Sequence, residues 1–461
     1  MKMKSLVSVA SLLAAISAFA LTPTVSNVTI SQDDARKVHV AYTLAGAPAI
    51  VTVDLYTNDV CISKLVSTVS GDGNCLVAAN GSHEMVWKVR KDWPDRTTKL
   101  ADAVRAEVRA YHPANPPDVI VMNLAENSDP KVNYYASYDS LPGGLESDAY
   151  RTTRLALRKC PVKYRTYQVG VPLEIMGRNT FEDTDLYSVT FTNDHYLGVF
   201  ETTQAQWNEV MGWKHRDWVF MSLDNDNWKV RPVNHAGMLE LREGSVECDK
   251  LDQYDAVKAY RYPHSPNPDS FFGKLYARTG LRCDLPSRAQ WAVAAMADQY
   301  YGVDGQPITN ATHIAAANEV GRNKYNGGNY YINGKYVVPG EEGTESKGID
   351  LQYGTARVGS YRPNPWGFYD MYGNVAEGTL DPRQGKGMSN VHDAFGEPFV
   401  AGPDYDYKGD GKGYCSLGGS WNGGSGNGIQ QGGTALLYSN NRHNGFRVMY
   451  RVNQAAFYSD L

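Results

Sequence analysis

The most informative stretch of the chain is residues 363–377, which read PNPWGFYDMYGNVAE. Its prolines exclude a regular helix at its start, and Gly367 and Gly373 permit backbone conformations that other residues avoid. Asp370 and Glu377 are its two carboxylates, with irregular backbone between them. Such an arrangement suits a hard cation that takes oxygen ligands. The same residues also fit a tight loop packed on a core with two solvated acids, so both interpretations stay open.

This stretch resembles the N-P-W/F-G-L-Y-D-M-x-G-N-V-W-E-W segment of the formylglycine-generating enzyme, or sulfatase-modifying factor, superfamily. It departs from that pattern at Ala376 and Gly378, which stand where the superfamily has tryptophans. The resemblance extends over residues 118–452 and implies an α+β fold, a variant of the C-type-lectin fold. Further segments resemble landmarks of the superfamily in its own order, namely 173–177, 195–212, 231–235, 281–295, 417–421 and 444–448.

Two of these landmark segments predict capped helices. Thr202 or Thr203 can cap the first helix, which Gly212 should end. Ser287 is the expected cap of the second helix, with Trp291 on its buried side. Both helices are interpreted as structural elements.

The N-terminus is predicted to be an export signal over residues 1–20. Lys2 and Lys4 supply the positive charge, residues 6–19 are apolar and small, and cleavage is expected after Ala20. The alternative is a membrane anchor, but the apolar run is short for a bilayer span and lacks a charged stop. No later stretch is apolar enough for a transmembrane helix, so the product should be exported.

The mature chain is expected to divide into two domains. Residues 21–112 alternate apolar and polar positions over short segments separated by turns, which favours an all-β immunoglobulin-like or fibronectin-like sandwich. This sandwich is interpreted as a spacer or adhesion module. A proline-rich linker is predicted over 113–118, followed by a formylglycine-generating-enzyme-like domain over 119–455.

Composition restricts the partners and the chemistry of the cysteines. The net charge of −5 offers no electrostatic footprint for nucleic acid. Six cysteines in an exported chain could pair as disulfides. Cys61 and Cys75 are the expected pair because both lie in the small N-terminal domain; the alternative is reduced, buried thiols.

The resemblance to the superfamily also implies two structural calcium sites. At the first site, Asn318 and Asp350 would give side-chain oxygens, and Glu319 and Gln352 would give carbonyls. At the second, the ligands would come from the stretch described first. By resemblance they are Asp370, Gly373, Val375 and Glu377.

The catalytic residues of the superfamily are not found in this sequence. Its active members carry two cysteines after their G-G-S-W/Y motif, and use them to bind copper and to oxidise a substrate cysteine with oxygen. Here Gly423 and Gly428 occupy those positions, and glycine offers no soft ligand for Cu(I). Cys415 precedes the motif and is a poor substitute. No other catalytic motif is present, so we expect no copper and assign no catalytic residue.

The glycine-rich, polar segment after the G-G-S-W motif is the expected binding surface. In related C-type-lectin-like proteins this region forms the ligand surface. We therefore expect a non-catalytic protein, secreted, periplasmic or at the cell surface, that binds a glycan or a protein. The alternatives are an oxidase or other metal-dependent enzyme with an unrecognised site, and a loop without a ligand. The expected binding residues are Trp421, Asn422, Asn427, Tyr438, Asn440 and Arg442.

Overall fold

The computed structural model shows an all-β N-terminal region followed by a larger α+β region. The predicted signal peptide lies outside the described residues. Among those residues, no helix is long and apolar enough to cross a membrane. The described residues are 22–96, 100, 104–169, 187–213, 227–244, 263–298, 319–323, 330–332, 335–337, 354–383, 395–398, 413–421 and 443–452.

The N-terminal region consists almost wholly of strands. They are β1 (Thr24–Gln32), β2 (Lys37–Ala45), β3 (Ala49–Thr57), β4 (Val60–Cys61), β5 (Val69–Gly71), β6 (Cys75–Val77), β7 (Gly81–Lys88) and β8 (Val104–Tyr111), with a 3₁₀ turn over Ser63–Leu65 and α1 over Val89–Asp92. One antiparallel sheet has the order β1-β2-β7-β5. In the other, β3 pairs with β8 along one edge, and with β4 and β6 along the opposite edge.

The two N-terminal sheets enclose one apolar core. Alternate residues of β2, including Val38, Val40 and Leu44, are buried, and Trp87 of β7 is fully buried against them. Burying each such side chain contributes about 1.5–3 kcal/mol. The strand periodicity therefore directs one face of each sheet inward, and the prediction of an all-β region is confirmed.

The predicted Cys61–Cys75 disulfide is wrong, because both cysteines are free. Cys61 pairs with Tyr56 near one end of β3, whereas Cys75 pairs with Val51 near the other end. From position 51 to position 56 the strand rises roughly 17 Å. A disulfide needs Cα atoms within about 7 Å, so membership of one small domain does not bring these thiols together.

The C-terminal region combines short strands with helices. The strands are β9 (Val119–Asn123), β10 (Val132–Tyr135), β11 (Arg154–Cys160), β12 (Thr166–Val169), β13 (Tyr187–Thr190), β14 (His195–Gly198), β15 (Cys283–Asp284), β16 (Tyr330–Ile332), β17 (Lys335–Val337), β18 (Ala376–Arg383), β19 (Gly413–Leu417), β20 (Asn444–Gly445) and β21 (Met449–Arg451). The α-helices are α2 (Gln204–Met211), α3 (Phe271–Thr279) and α4 (Arg288–Met296); 3₁₀ helices cover Tyr138–Ser140, Asp148–Arg151 and Asn227–Val230, and a π-helix covers Leu239–Glu243.

A six-stranded sheet of order β10-β9-β11-β14-β21-β15 organises this region. Helices α2 and α4 pack on it through apolar side chains such as Trp207 and Trp291. Both helices begin with capping boxes, from Thr203 and Ser287 respectively, and Gly212 ends α2 at a φ of 77°. The predicted caps are confirmed, because a local side-chain acceptor satisfies the free amides of the first turn.

The two regions pack directly on one another. Ile50 of β3 belongs to the same buried cluster as Ile120 of β9 and Tyr134 of β10. The amide of Tyr134 donates to the carbonyl of Asn74, at 2.9 Å. In the linker predicted over 113–118, the carbonyls of residues 116 and 117 accept from the hydroxyl of Tyr196 at 2.7 and 3.0 Å. The sandwich therefore packs directly on the C-terminal region. A module that served only as a spacer would not require this packing.

Candidate functional site

Residues 363–375 form an irregular segment that leads into β18, whose first two residues are Ala376 and Glu377. Asn364 fastens its start, because its side-chain amide donates to the carbonyls of Ala294 and Ala295 in the last turn of α4. The side-chain oxygen of Asn364 accepts from the amide of Phe368 at 3.0 Å. One buried side chain thus fixes the irregular path that the prolines impose.

Four residues of the segment have left-handed backbone, with φ of 77° at Gly367, 55° at Asp370, 85° at Gly373 and 56° at Asn374. A Cβ atom at position 373 would lie 2.1 Å from the carbonyl oxygen of Arg322. Glycine is required there both by φ and by this close approach. The result is a tight turn over residues 370–375 that enters β18.

Glu377 is fully buried and bonded to a buried arginine. Arg447 donates to it twice, with Nε 2.9 Å from Oε2 and Nη2 2.7 Å from Oε1. The indole of Trp291 donates to Oε2 at 2.7 Å. Arg447 also donates to the carbonyls of Gly198, Val199 and Tyr369. Removing one partner of such a buried pair lowers the free energy of unfolding by about 3–5 kcal/mol. The pair therefore stabilises the packing of β18 against the main sheet.

Glu201 is a second fully buried carboxylate, placed just before α2. Its Oε1 accepts from the amide of Val375 at 3.0 Å, and its Oε2 accepts from the side chain of Asn374 at 2.6 Å. Burial, followed by the neighbouring charges of Asp370 and Glu377, raises the pKa of Glu201 well above its usual range. These two hydrogen bonds therefore connect Glu201 to the tight turn over residues 370–375.

Asp370 is the third buried carboxylate of the cluster. Its Oδ2 accepts from the amide of Gly359 at 2.6 Å, while its Oδ1 has no hydrogen-bond partner among the described residues. Burial raises its pKa to about 6, against the lowering effect of the Gly359 hydrogen bond. A buried oxygen without a partner is costly, and this oxygen is the feature of the second predicted calcium site that fits a cation.

The other predicted ligands of that site fit less well. Gly373 and Val375 contribute backbone to the turn as expected, but the carboxylate of Glu377 already holds Arg447 and Trp291. Among the described residues, no group of three or more His, Cys, Asp or Glu side chains is arranged to hold a metal ion. Calcium at this position stays a prediction.

The first predicted calcium site falls largely outside the described residues, which exclude Asn318, Asp350 and Gln352. Glu319 is described, and its carbonyl accepts from the amide of Arg362 at 3.1 Å. Its carboxylate forms an exposed ion pair with the same arginine. Nothing described here tests the first site.

The predicted binding segment is anchored at both ends by the tight turn. The amide of Trp421 donates to the carbonyl of Asn374, and the amide of Ala376 donates to the carbonyl of His443. The rings of Trp421 and His443 lie 5.1 Å apart. Trp421 is fully buried, so its place is in the base of the segment. The remaining expected binding residues lie outside the described residues, namely Asn422, Asn427, Tyr438, Asn440 and Arg442, as do Gly423 and Gly428.

Three cysteines of the C-terminal region are buried, Cys160, Cys283 and Cys415. Burial raises the pKa of the Cys160 and Cys283 thiols far above the usual range. The thiolate is the form that reacts and binds metals. Burial therefore disfavours the thiolate at Cys160 and Cys283, and Cys415 is likewise buried, in β19.

Sequence reasoning missed the roles of Glu201 and Arg447. Both lie inside quoted landmark segments, 195–212 and 444–448. The available signal was a charged residue next to apolar ones: Glu201 follows Val199 and Phe200, and Arg447 lies between Phe446 and Val448. A charge in such a setting is rarely buried without a partner, which would have pointed to a buried pair without naming it.

The fold and the cluster define a sheet-and-helix scaffold with buried polar groups around the turn over residues 370–375. The family described as Sulfatase-modifying factor enzyme 1-like domain matches residues 174–452. This match covers more than half of the 461 residues. The chain belongs to that family. Strands β9 to β11 precede the matched range and complete the same six-stranded sheet.

A curated protein is similar to part of the chain. Chaperone protein LppX of Paenibacillus barcinonensis is 28% identical over 196 residues, which are 40% of this chain and 61% of LppX. The chain therefore spans about three fifths of the length of this relative.

Among solved structures, PvdO from Pseudomonas aeruginosa is similar at 16% identity and a TM-score of 0.40, over 64% of this chain and 94% of PvdO. Treponema denticola variable protein 1 gives 17% and 0.39, over 65% and 95%. CarF gives 16% and 0.35, over 64% and 98%. The family assignment rests on the match over residues 174–452.

Proposed function

We propose that this protein is an exported, non-catalytic binding protein that recognises a glycan or another protein through residues 422–442. The observation that carries the proposal is the anchoring of that segment, because Trp421 and His443 are both bonded to the turn over residues 370–375 and its continuation into β18. A long segment on a rigid base is where recognition is commonly found. The sandwich would then be an immunoglobulin-like module, and the C-terminal region a C-type-lectin-type scaffold.

The buried cysteines support a role without oxidase chemistry. Cys415 is the cysteine nearest in sequence to the G-G-S-W motif, and it is enclosed in β19. The glycines at 423 and 428 supply no thiolate. The export signal predicted over residues 1–20 would take the protein out of the cytoplasm, as a secreted, periplasmic or surface protein.

Calcium is proposed as a structural ion at Asp370. The partnerless Oδ1 of this buried carboxylate is a suitable oxygen ligand, and Gly373 and Val375 offer backbone carbonyls in the same turn. A bound ion would fix the base of the binding segment. It would stabilise the folded state alone, in proportion to its occupancy.

A binding screen tests the function directly. Wild type, Tyr438→Ala and Arg442→Ala are applied to glycan and protein arrays, because tyrosine and arginine often dominate binding energy. Tyr164→Ala is the matched control, since Tyr164 is 78% exposed but lies far from the segment in sequence. We expect loss of signal in the first two variants only. Equal signal from all four proteins would place the binding surface elsewhere, and copper-dependent oxidation of a sulfatase-type peptide would refute the non-catalytic role.

A further inference from the structure

A carboxylate just after α4 gathers side chains from separate segments of the chain. The guanidinium of Arg165 donates to Asp298 twice, with Nη2 2.7 Å from Oδ1 and Nη1 3.3 Å from Oδ2. The hydroxyl of Tyr167 in β12 donates to Oδ1 at 3.2 Å, and the indole of Trp366 donates to Oδ2 at 3.3 Å. We call these four residues the Asp298 cluster. It contains no residue of the turn over 370–375 or of the segment 422–442.

The backbone that carries Asp298 is strained. Helix α4 ends at Met296, and the next two residues, Ala297 and Asp298, both have left-handed backbone, with φ of 48° and 64°. Glycine adopts this conformation freely, whereas it is unfavourable for alanine and less so for aspartate. Strained backbone persists where the surrounding structure requires it, and it is frequent at binding sites. Here it places a carboxylate, which glycine lacks, beside two aromatic side chains.

Tyr167 and Trp366 are half-exposed rings whose polar edges point to the same carboxylate. The ring of Tyr167 packs on Phe191 in a T-shaped arrangement, with 5.9 Å between the centroids, and both rings of the cluster contact the buried core around α4. The amide of Trp366 donates to the side chain of Asn364, which is itself bonded to the last turn of α4. The rings are therefore preorganised, and a ligand would order few side chains on binding.

The Asp298 carboxylate can exchange partners with a ligand. Its side chain is 42% exposed and that of Arg165 is 47% exposed, so both charged groups reach solvent. The bond from Nη2 of Arg165 is short, at 2.7 Å. The bonds from Nη1 of Arg165, from Tyr167 and from Trp366 are 3.3, 3.2 and 3.3 Å, which is longer than the ordinary range for their donors. Long, accessible bonds of this kind are the ones that a ligand hydroxyl can replace.

The chemistry of the cluster favours a neutral, polyhydroxylated ligand. A carboxylate accepts hydrogen bonds, a guanidinium donates them and a phenol does both, so the ligand needs donors and acceptors close together. Neighbouring hydroxyl groups of a sugar ring provide that pattern, and the C–H face of the same ring packs on an aromatic face. The guanidinium of Arg165 lies over Tyr167, 5.2 Å from the ring centroid, which leaves Trp366 as the stacking face. The carboxylate at the centre repels phosphates and uronates.

We propose that the Asp298 cluster is a binding site for a neutral pyranose unit. The sugar ring would stack on Trp366, and two adjacent hydroxyls would bond to Asp298 and Arg165. The site is separate from the surface proposed over residues 422–442, and it stands without that proposal.

The test uses the purified protein and the methyl glycosides of glucose, galactose, mannose and xylose, with methyl glucuronide as the charged comparator. Saturation-transfer NMR and titration calorimetry follow binding. Wild type should bind at least one neutral glycoside, and Trp366→Ala and Asp298→Asn should weaken that binding about tenfold or more. Tyr167→Phe removes only a hydroxyl and should weaken it less, which covers the case in which Asp298→Asn disturbs α4. Tyr164→Ala is the control, since Tyr164 is 78% exposed and its ring lies against Lys163.

Each outcome supports or overturns the site. No binding of a neutral glycoside by wild type, or equal binding by Trp366→Ala and Asp298→Asn, would overturn it. Tighter binding of methyl glucuronide would contradict the neutral ligand. A protein-array signal that Trp366→Ala loses, without glycoside binding, would assign the cluster to a protein partner instead. Glycoside binding lost in Tyr438→Ala or Arg442→Ala but kept in Trp366→Ala would support the segment 422–442 alone, whereas the reverse pattern would support the Asp298 cluster alone.

Discussion

The N-terminal sandwich buries its polar groups along a sheet edge, whereas the C-terminal region buries them at its centre. On β3, the amides of Val53 and Leu55 have no strand partner along the edge between β4 and β6. They donate to the side chains of Asn74 and Ser63, at 2.9 and 3.0 Å. Side chains thus close the edge against pairing with another chain, and the core behind it is apolar.

The C-terminal region instead buries charged side chains at its centre. Glu377, Arg447 and Glu201 lie among the buried clusters and bond to one another or to irregular backbone. A regular sheet satisfies its own backbone, but the turn over residues 370–375 does not. The two regions therefore depend on different sequence features. Alternation of apolar and polar residues is sufficient to form the core of the sandwich. The turn over residues 370–375 also requires hydrogen-bond donors and acceptors from distant segments.

The largest effect is expected when methionine replaces a buried residue in each region, which tests the difference between the two interiors. Arg447→Met leaves the Glu377 charge buried and unpaired, and should lower the free energy of unfolding by about 3–5 kcal/mol. Leu44→Met, in the apolar core of the sandwich, conserves volume and should cost less than about 1.5 kcal/mol. Urea denaturation measures both. Equal losses would contradict the distinction between the two interiors.

Local features of this fold could be predicted from the sequence. The caps at Thr203 and Ser287 depend on residues three positions apart, and the alternation of β2 is read directly from its residues. The irregular path of residues 363–377 followed from its prolines and glycines. Each of these rests on short-range chemistry.

The rest depends on contacts between distant residues. Glu201 bonds to Val375, 174 residues away, and Arg447 bonds to Glu377, 70 residues away. A single sequence does not indicate such pairing. The Cys61–Cys75 prediction failed for the same reason, because positions along β3 are fixed by strand pairing and not by proximity in the chain.

A smaller effect is expected from the buried histidine of the main sheet. Burial lowers the pKa of His195 to about 3, with Arg451 as the second cause, so it is neutral in the folded state. The unfolded chain takes up the proton below about pH 6.5, which favours unfolding. Stability should therefore fall as pH drops from 6.5, by about 2 kcal/mol at pH 5 from this group.

His195→Gln isolates that contribution. Asp370 and Glu201 have raised pKa values and act in the opposite direction, gaining stability as pH falls. They are present in both proteins, so the difference between wild type and variant reports His195 alone. Guanidinium denaturation at pH 7, 6 and 5 gives the slope. A difference independent of pH would show that the buried imidazole does not control acid sensitivity.

The smallest expected effect lies where the two regions meet. Asn74→Ala removes the oxygen that accepts from the amide of Val53, at 2.9 Å in β3. Leaving this buried donor unsatisfied should cost about 1–2 kcal/mol. The carbonyl of Asn74 also accepts from the amide of Tyr134, so the same turn holds β10. Amide hydrogen exchange should accelerate at both Val53 and Tyr134, because a displaced turn weakens both bonds.

Asn80→Ala is the matched control, since its side chain accepts from a backbone amide at an exposed position. Protection retained at Tyr134 would contradict this coupling, because the backbone at position 74 would then stay in place without the side chain. Faster exchange at both amides would support the coupling of β3 and β10 through the turn at Asn74.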